Sequence, residues 1–596
     1  MKRSWIQRLA VSGALSAAAL AAMSRPAQAC GGFFCSVAQP VNQAAERIIF
    51  ADNGDGTITA VIQILYNGPS KSFSWLLPIS TVPQGDQLAV ASDLAFTRLQ
   101  AATNPQFNLT TRVEGQCTET NQRLSNPSGA VAAPGVAFDT NESGVNVEAS
   151  GVVGQFEWTV ISLTNPNEPD PATPALDWLR QNGYDVTPEG GALIGPYLAD
   201  GMYLLALKLV KGSDSGSIRP IELTYAAQAP MIPIKLTAVA ANRDMGVMTW
   251  ALSNARAVPF NYNALELNEA RINWFNASSN YNQVVTEAAD AAGGQGFVTE
   301  FAGPSTRLAD VVWMPNDETQ WRAVQGATYA SFGDLFRALQ SNYEGWNGFW
   351  DAVRRVLTLP LGVTFEDFKA CPSCYASRIE FSPTQLFSAI ESDVIEPLRS
   401  VQKLIDRSPY TTRLYSTLSA AEMTVDPVFV FNPDLPEVDN VHRAVRVIEC
   451  NRNLSQFSAP WRIELPQGSV IRGTPATLNQ WPAAIDAQPA NFRVLTLSNS
   501  GAGRVVDDNA DEINTQLAAY NEALPSGSSG STGSASAGRG GFCSLGRTPS
   551  QPLALTLPGL LGVAWLRRRR RARPANRQPA EPARERECVS PSSAHS

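Results

Sequence analysis

Residues 48–66, IIFADNGDGTITAVIQILY, show most clearly the strand pattern of the first half of this chain. Apolar and polar residues alternate on both sides of the NGDG segment at 53–56, which is the pattern of two β-strands joined by a tight turn. Glycine and asparagine adopt the positive φ of such turns at low cost, so the segment predicts a β-hairpin. The residues predicted to share one face of its second strand are Ile58, Ala60, Ile62, Ile64 and Tyr66.

The NGDG turn is also similar to half of an EF-hand calcium loop. In that register Ala51 stands where the first acidic ligand is required, and Ile62 stands where the twelfth position is usually Glu. We therefore interpret the segment as a turn, and no metal site or cofactor is predicted for the chain.

Outside the hairpin, hydrophobic periodicity divides the chain in two. A period of two continues to about residue 252, interrupted by a predicted helix at 172–182. After about residue 263 the period shifts toward 3.6, with a helix at 281–292 and a capping pattern at Ser331 and Asp334. We predict an α+β fold: a strand-rich domain of sandwich-like antiparallel sheets (residues 30–262), followed by a mixed, largely helical domain (residues 263–523).

Charge restricts the class of partner. The 596-residue chain has a formal charge of −8, but residues 1–29 carry four basic and no acidic residues, and residues 567–588 carry nine arginines and three glutamates. Removing these two positive ends leaves a net charge of about −18 on the central part. Such an acidic body disfavours nucleic acid and anionic membrane surfaces as partners.

Residues 1–29 have the pattern of a secretory signal peptide. Lys2, Arg3 and Arg8 precede an apolar run at 9–22. The AQA segment at 27–29 then supplies small residues for cleavage by signal peptidase. Export is therefore predicted, with Cys30 as the first residue of the mature chain.

The C-terminal end has a related arrangement. A Ser- and Gly-rich stretch at 524–541 predicts a flexible linker, and a segment at 542–571 then contains Cys543, 15 apolar residues and an arginine cluster, before a tail at 572–596. Fifteen helical residues span roughly 22 Å, less than the roughly 30 Å of a bilayer core. Positive charge remains on the cytoplasmic side, which orients such a segment. The cluster consists of Arg567, Arg568, Arg569, Arg570 and Arg571.

Cys543, the apolar run and the arginine cluster together resemble the MYXO-CTERM sorting signal of myxobacterial surface proteins. The resemblance implies that a membrane-bound sorting protease processes the chain at Cys543 and removes the tail. It also implies membrane contact through the C-terminal segment and a final position in the cell envelope, at the outer cell surface.

Three segments of the central part are distinctive: ACGGFFC at 29–35, FSWLLPI at 73–79 and GGQGFVTE at 293–300. With these segments, most of residues 30–500 resembles the bacterial domain-of-unknown-function family 2330. The resemblance implies export and an envelope or surface setting in bacteria, and it implies no particular activity.

The predicted exported body contains an even number of cysteines, which favours disulfides in an oxidising compartment. The six are Cys30, Cys35, Cys117, Cys371, Cys374 and Cys450. Close spacing favours Cys30 with Cys35 and Cys371 with Cys374, which leaves Cys117 for Cys450, although six cysteines allow about 15 pairings. A bridge of that length would contribute roughly 3–5 kcal/mol.

The Cys371-Pro372-Ser373-Cys374 segment also has the spacing of a thiol–disulfide oxidoreductase motif. That motif works when a strand precedes its first cysteine and a helix follows it, whereas residues 365–369 indicate a helix or a loop. A structural disulfide is the favoured interpretation, and the redox alternative predicts a reactive Cys371 thiol.

Candidate catalytic residues are few. Of the two histidines, His595 lies beyond the arginine cluster, so a catalytic triad or dyad would require His442, and a zinc site with two histidines is excluded. We interpret His442 as a hydrogen-bonded structural residue and assign no catalytic residue. Hydrolysis by two carboxylates needs no histidine, and Glu46, Asp290 and Glu300 are its first candidates because they lie in or near the family-like segments.

These observations predict an exported, disulfide-stabilised envelope or surface protein that binds an unknown surface ligand or has a structural role. The alternative is an extracytoplasmic hydrolase that uses paired carboxylates.

Overall fold

A computed structural model describes residues 42–67, 74–117, 145–165, 168–184, 188–209, 218–239, 241–475 and 480–524. The predicted signal peptide, Cys30, Cys35, Cys543 and the arginine cluster lie outside the described residues.

The strands, in chain order, are β1 (Asn42–Asp52), β2 (Thr57–Asn67), β3 (Ser74–Ile79), β4 (Leu88–Val90), β5 (Gln106–Glu114), β6 (Val145–Val153), β7 (Phe156–Leu163), β8 (Tyr203–Leu209), β9 (Ile221–Ala226), β10 (Ala241–Ser253), β11 (Arg256–Pro259), β12 (Asn263–Leu267), β13 (Gly296–Pro304), β14 (Tyr410–Leu418), β15 (Phe429–Asn432), β16 (Val441–Glu449), β17 (Trp461–Glu464), β18 (Val470–Gly473), β19 (Asn491–Thr496) and β20 (Arg504–Asp508).

The α-helices are α1 (Asp93–Thr103), α2 (Ala172–Gln181), α3 (Pro188–Ala199), α4 (Ile234–Thr237), α5 (Tyr281–Ala291), α6 (Pro315–Gly326), α7 (Phe332–Tyr343), α8 (Phe349–Val356), α9 (Phe365–Ala370), α10 (Pro372–Tyr375), α11 (Pro383–Ile390), α12 (Glu396–Arg407) and α13 (Ala510–Ala523). A π-helical turn, Glu391–Ile395, joins α11 to α12, and a short 3₁₀ helix, Glu269–Arg271, follows β12.

A ten-stranded sheet forms the centre of the described structure, in the order β20-β19-β12-β13-β14-β10-β1-β2-β9-β4. The predicted hairpin is confirmed: β1 and β2 are antiparallel, with Ile49 opposite Val61, and the Asn53 amide donates to the Thr57 carbonyl at 3.1 Å. On its other side β1 runs parallel to β10. The sheet therefore takes strands from both sides of residue 262.

Both faces of this sheet are buried. Ile49, Val61 and Trp250 face one core, where α1, α5 and α12 pack, together with a four-stranded sheet of order β18-β17-β16-β5. Ile48 and Phe50 face a second core, which a sheet of order β3-β8-β7-β6 covers. Sheet-on-sheet packing of this kind buries the alternate residues of each strand on opposite faces.

A helical cluster occupies the second half of the chain. Residues from α6, α7, α8 and α11 form a separate core around the buried Trp321, Phe336 and Tyr343. The fold class is therefore confirmed: strand-rich sheets dominate the first half, and helices become more frequent in the second half. Within the described part of the chain, no helix has the length and apolar character needed to cross a membrane.

Candidate functional site

A cavity of about 430 Å³ lies where the ten-stranded sheet meets β5, β16 and the start of α5. Its wall is largely apolar, formed by side chains such as Leu265, Val298 and Leu497. The ionisable and aromatic side chains that also line it are Phe107, Arg256, Glu266, Glu269, Tyr281, Glu300, Asp434 and His442. A concave, largely apolar space with a few convergent polar groups is the usual form of a small-molecule site.

Strand pairing brings the aromatic part of this wall together. β5 runs parallel to β16, and Phe107 is the direct register partner of His442. Because directly paired residues point to the same face of a sheet, their rings stack, with centroids 4.6 Å apart and planes inclined by 11°. Trp274 and Tyr281 also contact the Phe107 ring, so the imidazole is held by an aromatic cluster.

His442 is paired with a buried glutamate. Its Nδ1 lies 2.7 Å from Oε1 of Glu269, which begins the 3₁₀ helix after β12 and is 8% exposed. The side chain of Asn268 caps that helix by accepting from the Ala270 amide at 3.0 Å. Since an ionised carboxylate only accepts, the hydrogen of this bond belongs to Nδ1. In the neutral imidazole, Nε2 then carries a lone pair.

The second oxygen of Glu269 has no hydrogen-bond donor. Oε2 is enclosed, and no side-chain or backbone donor among the described residues reaches it. A buried polar atom without a partner costs free energy. Oε2 has almost no accessible surface, so a molecule in the cavity does not touch it in this conformation.

A β-bulge directs Glu300 into the same wall. Thr299 pairs with Leu414 and Phe301 with Arg413, so Glu300 is the extra residue of β13 opposite β14. Bulges commonly redirect a side chain beside a functional site. Glu300 accepts from the Tyr281 hydroxyl at 2.6 Å, and its Oε2 lies 2.6 Å from Nε of Arg413, whose side chain is 2% exposed.

Burial has the largest effect on the pKa of Glu300. Desolvation raises the pKa of Glu300 above its usual range, while Arg413 and the Tyr281 hydrogen bond oppose that rise. Burial, together with the negative charge of Glu300, raises the pKa of Tyr281 well above its usual value. Tyr281 therefore remains a hydrogen-bond donor to Glu300 throughout the physiological pH range.

Arg256 is the one cationic side chain among the described lining residues. Its Nη1 donates to the Pro436 carbonyl at 3.1 Å and its Nη2 to the Thr299 hydroxyl at 3.2 Å. Its Nε is buried without an acceptor among the described residues. Burial lowers the pKa of Arg256, but the nearby charge of Glu266 acts in the opposite direction.

The other carboxylates singled out from the sequence lie elsewhere. Glu46 is buried on β1 and does not line the cavity. Asp290 is exposed near the end of α5, beside Glu422, whose pKa is raised by burial and by the charge of Asp290. Of the three candidates only Glu300 reaches the cavity.

The Cys117–Cys450 disulfide joins the ends of two strands that also line the cavity. β5 and β16 stay in register as far as Glu114 and Glu449, and the two cysteines follow with their Cα atoms 5.2 Å apart. Gly115, directly after the end of β5, has φ of +85°, and a Cβ there would lie 2.2 Å from the Cys450 carbonyl oxygen. A side chain at this position would therefore strain the backbone.

The Cys371–Cys374 disulfide joins the residue between α9 and α10 to a residue within α10, with Cα atoms 5.4 Å apart. A helix, not a strand, precedes Cys371, so the local structure differs from the strand–helix arrangement that a thioredoxin-like motif requires.

Comparison with known proteins gives one result for the N-terminal half. Residues 25–319 match the model of domain-of-unknown-function family 2330, described as an uncharacterized protein conserved in bacteria. Comparisons with curated proteins and with solved structures found no match. The segment matching family 2330 contains Phe107, Glu269 and Glu300, whereas Arg413 and His442 lie beyond it. The cavity is thus completed by residues outside the matched segment.

Sequence reasoning selected His442 and Glu300 but missed Phe107, Glu269 and Arg413. The only local signal for Glu269 is its position at the end of a strand, next to a capping asparagine. Its pairing with His442 joins residues 173 positions apart, which no local pattern indicates.

Proposed function

We propose that this chain is an exported, disulfide-stabilised envelope protein whose folded body binds a small molecule in the cavity lined by Glu269 and His442. The observation that carries the proposal is the cavity of about 430 Å³, whose largely apolar wall includes the hydrogen-bonded Glu269–His442 pair. Its volume falls within the range of roughly 300–1,000 Å³ that is usual for ligand sites.

The hydrogen bonds that the hydroxyl groups of the cavity make favour ligand binding over covalent catalysis by those hydroxyls. The Tyr281 hydroxyl donates to Glu300, and the Thr299 hydroxyl accepts from Arg256. A nucleophilic hydroxyl needs a base such as a histidine within hydrogen-bond reach, and these two hydroxyls are bonded to Glu300 and Arg256 rather than to His442. The groups that remain available are suited to holding a ligand.

A blocked-entrance variant tests this proposal. Ala502 lines the cavity and is exposed, so Ala502→Trp adds a large side chain at the entrance without inserting it into the core. We expect fluorinated aromatic fragments, followed by ¹⁹F NMR relaxation, to bind the parent protein and to lose binding in A502W. The matched control is Ala519→Trp on the exposed face of α13, which should leave binding unchanged. Equal binding by A502W and the parent protein would contradict the proposal.

The export part of the proposal rests on the sequence of both termini and on the disulfides. The signal-like residues 1–29, the sorting-like segment 542–571 and the Cys117–Cys450 bridge all agree with an oxidising environment outside the cytoplasm. Signal peptidase and a sorting protease would then process the chain, and its location would be the outer cell surface.

Intact-mass analysis of protein isolated from the cell surface tests this part. We expect a mass without residues 1–29 and without the segment beyond the processing point at Cys543. A surface protein that retains residues 567–596 would contradict sorting at Cys543. Recovery from the cytosol with free thiols would contradict export.

A second function, extracytoplasmic hydrolysis, is favoured by the Glu269–His442 pair. Glu269 orients the imidazole so that Nε2 could take a proton from water, and the resulting hydroxide would attack an acyl carbon. Of the four carboxylates on the cavity wall, Glu269 and Glu300 are the buried ones, and a paired-carboxylate mechanism would use these two. The test is hydrolysis of p-nitrophenyl esters by the parent protein and by His442→Gln: activity lost in H442Q supports hydrolysis through the Glu269–His442 pair, and activity retained there contradicts a role for that pair.

A further inference from the structure

We infer that the cavity selects an uncharged, predominantly apolar molecule, because the buried charged groups of its wall are already paired with partners from the chain itself. This inference rests on the proposed function, since it takes the cavity to be a ligand site.

The first argument is the pairing of the two buried carboxylates. Glu300 accepts from the Tyr281 hydroxyl at 2.6 Å and forms an ion pair with Arg413. Oε1 of Glu269 lies 2.7 Å from Nδ1 of His442, and its Oε2 has almost no accessible surface. In the described structure, neither carboxylate therefore offers an accessible and unpaired oxygen to a cationic ligand.

The second argument is the state of Arg256, the cationic side chain of the lining. Its Nη1 donates to the Pro436 carbonyl and its Nη2 to the Thr299 hydroxyl. Its Nε has no acceptor among the described residues, but this atom has almost no accessible surface, so an anion in the cavity does not touch it. The negative charge of Glu266 also acts on the guanidinium group. An anionic ligand would therefore compete with Glu266 for Arg256.

The other two carboxylates of the lining are exposed to water. Glu266 is exposed, and the positive charges of Arg493 and Arg256 both act on it. Asp434 is also exposed, and its Oδ2 accepts from the Gly501 amide at 2.7 Å. Interactions of such exposed charges are screened by water and salt, so they contribute little to the binding of an ion inside the cavity.

The cost of desolvation then decides between charged and uncharged ligands. An ion that leaves water for a largely apolar site loses far more free energy than an uncharged group does, unless it meets an opposite charge there. The paired wall supplies such a charge only if an existing pair is broken. An uncharged ligand avoids this cost and gains binding free energy in proportion to the apolar area that it buries.

The uncharged part of the wall favours a ligand with a carbon framework. Ile272, Val298 and Leu495 are among the aliphatic residues of the lining, and Phe107 adds an aromatic ring. A rigid cyclic framework would bury apolar area against these side chains and lose little conformational freedom on binding.

Three probes with one rigid body test the selection against charge. Indan-2-ol, indan-2-amine, which is protonated at pH 7, and indane-2-carboxylate share a bicyclic carbon frame and differ in the charge of one substituent. The substituent is attached directly to the ring, so its charge does not sit at the end of a flexible chain. We expect isothermal titration of the full-length protein at pH 7 to show at least about tenfold tighter binding of the alcohol than of either ion.

A second series tests the apolar character of the ligand. 4-Methylphenol, 4-ethylphenol and 4-propylphenol are uncharged at pH 7, and each is longer than the one before by one methylene group. Each added methylene group should tighten binding roughly three- to fourfold, which is the gain expected from burying it. Equal affinities along the series would contradict the apolar part of the inference.

One substitution assigns this gain to the wall. Val298→Thr replaces a methyl group of a buried lining residue on β13 by a hydroxyl group of similar size, so it should weaken the binding of 4-propylphenol at least about threefold. The matched control is Val505→Thr on β20, where the valine is exposed and does not line the cavity. V505T should bind like the parent protein, and an unchanged affinity in folded V298T would contradict contact with this wall. If V298T does not fold, the two probe series on the parent protein still decide the inference.

The outcomes separate this inference from the proposed function. Tightest binding of either ion, or equal affinity for the three indane probes, with all binding lost in A502W, overturns the selection of an uncharged ligand and leaves the cavity as a binding site. Binding that persists in A502W, or no binding of any probe at millimolar concentration, overturns both.

Discussion

Replacing Arg413 tests whether the Glu300–Arg413 pair stabilises the cavity wall. The two charged atoms lie 2.6 Å apart, with side-chain exposures of 2% for Arg413 and 1% for Glu300. Arg413→Met removes the guanidinium group and keeps an apolar stem, so the carboxylate remains buried with only the Tyr281 hydroxyl as a partner. Breaking a buried pair from one side costs about 3–5 kcal/mol, and we expect that loss in the free energy of unfolding.

A double-mutant cycle isolates the interaction itself. Glu300→Gln leaves Arg413 with the Gln100 carbonyl at 3.2 Å and the Thr103 hydroxyl at 3.1 Å, so this substitution should be less harmful than R413M. In the double variant no unpaired charge remains, and we expect its loss to be smaller than the sum of the single losses by roughly 1–3 kcal/mol. Urea unfolding followed by tryptophan fluorescence measures all four proteins.

The pH dependence supplies a second readout. Burial raises the pKa of Glu300 in the folded state, and R413M removes the charge that opposes this rise. A carboxyl group whose folded-state pKa is raised holds its proton longer in the folded protein. Its contribution to stability is therefore present below the unfolded pKa, near 4.3, and is lost as the pH rises through the folded value. R413M should lose more stability than the double variant between pH 5 and pH 8.

The matched control is an exposed ion pair. Arg337 lies 3.3 Å from Asp334 on α7, with side-chain exposures of 75% and 47%, so Arg337→Met should cost less than about 1 kcal/mol. If R413M costs no more than R337M, or if the double variant equals the sum of the single variants, the account of the buried pair is wrong.

Three further predictions concern the elements around the cavity. The loop-entropy relation gives about 6 kcal/mol for the Cys117–Cys450 bridge and about 2 kcal/mol for Cys371–Cys374. Since real bridges deliver less, the double Ser variant of the first pair should lose about 3–5 kcal/mol in urea unfolding and that of the second about 1–2; equal losses would refute the comparison. Gly115→Ala should cost roughly 2–4 kcal/mol because it combines positive φ with a backbone clash, whereas Gly54→Ala, with φ of +75° and open space around it, should cost about 1 kcal/mol. Tyr281→Phe should cost roughly 1–3 kcal/mol by removing the donor to Glu300, and a variant as stable as the parent protein in urea would show that this bond is unimportant.

Short-range features were predicted well from the sequence. The hairpin at 48–66, the helix predicted at 172–182 and the helix predicted at 281–292 correspond to β1 and β2, to α2 (Ala172–Gln181) and to α5 (Tyr281–Ala291). Each of these elements depends on periodicity and on turn or capping residues within about one dozen positions. Such local patterns can be recognised in the sequence itself.

The parallel strand pairs were not predicted. β1 pairs with β10 and β5 pairs with β16, and the second of these pairs places Phe107 against His442. A parallel pair needs a long connection, here more than 300 residues between β5 and β16, so no turn signal marks it. The bulge that directs Glu300 inward is also a property of two strands in register, and β13 alone does not show it.

The amino-acid sequence alone indicates the hairpin, the helices predicted near it, the signal-peptide pattern at 1–29 and the sorting-signal pattern at 542–571, because each of these depends on nearby positions. The cavity is different: its carboxylates, imidazole and aromatic ring come from β5, β12, β13 and β16 and meet only when distant strands pair. Burial and the resulting pKa shift of Glu300 are likewise consequences of packing, since an isolated strand leaves the same carboxyl in water.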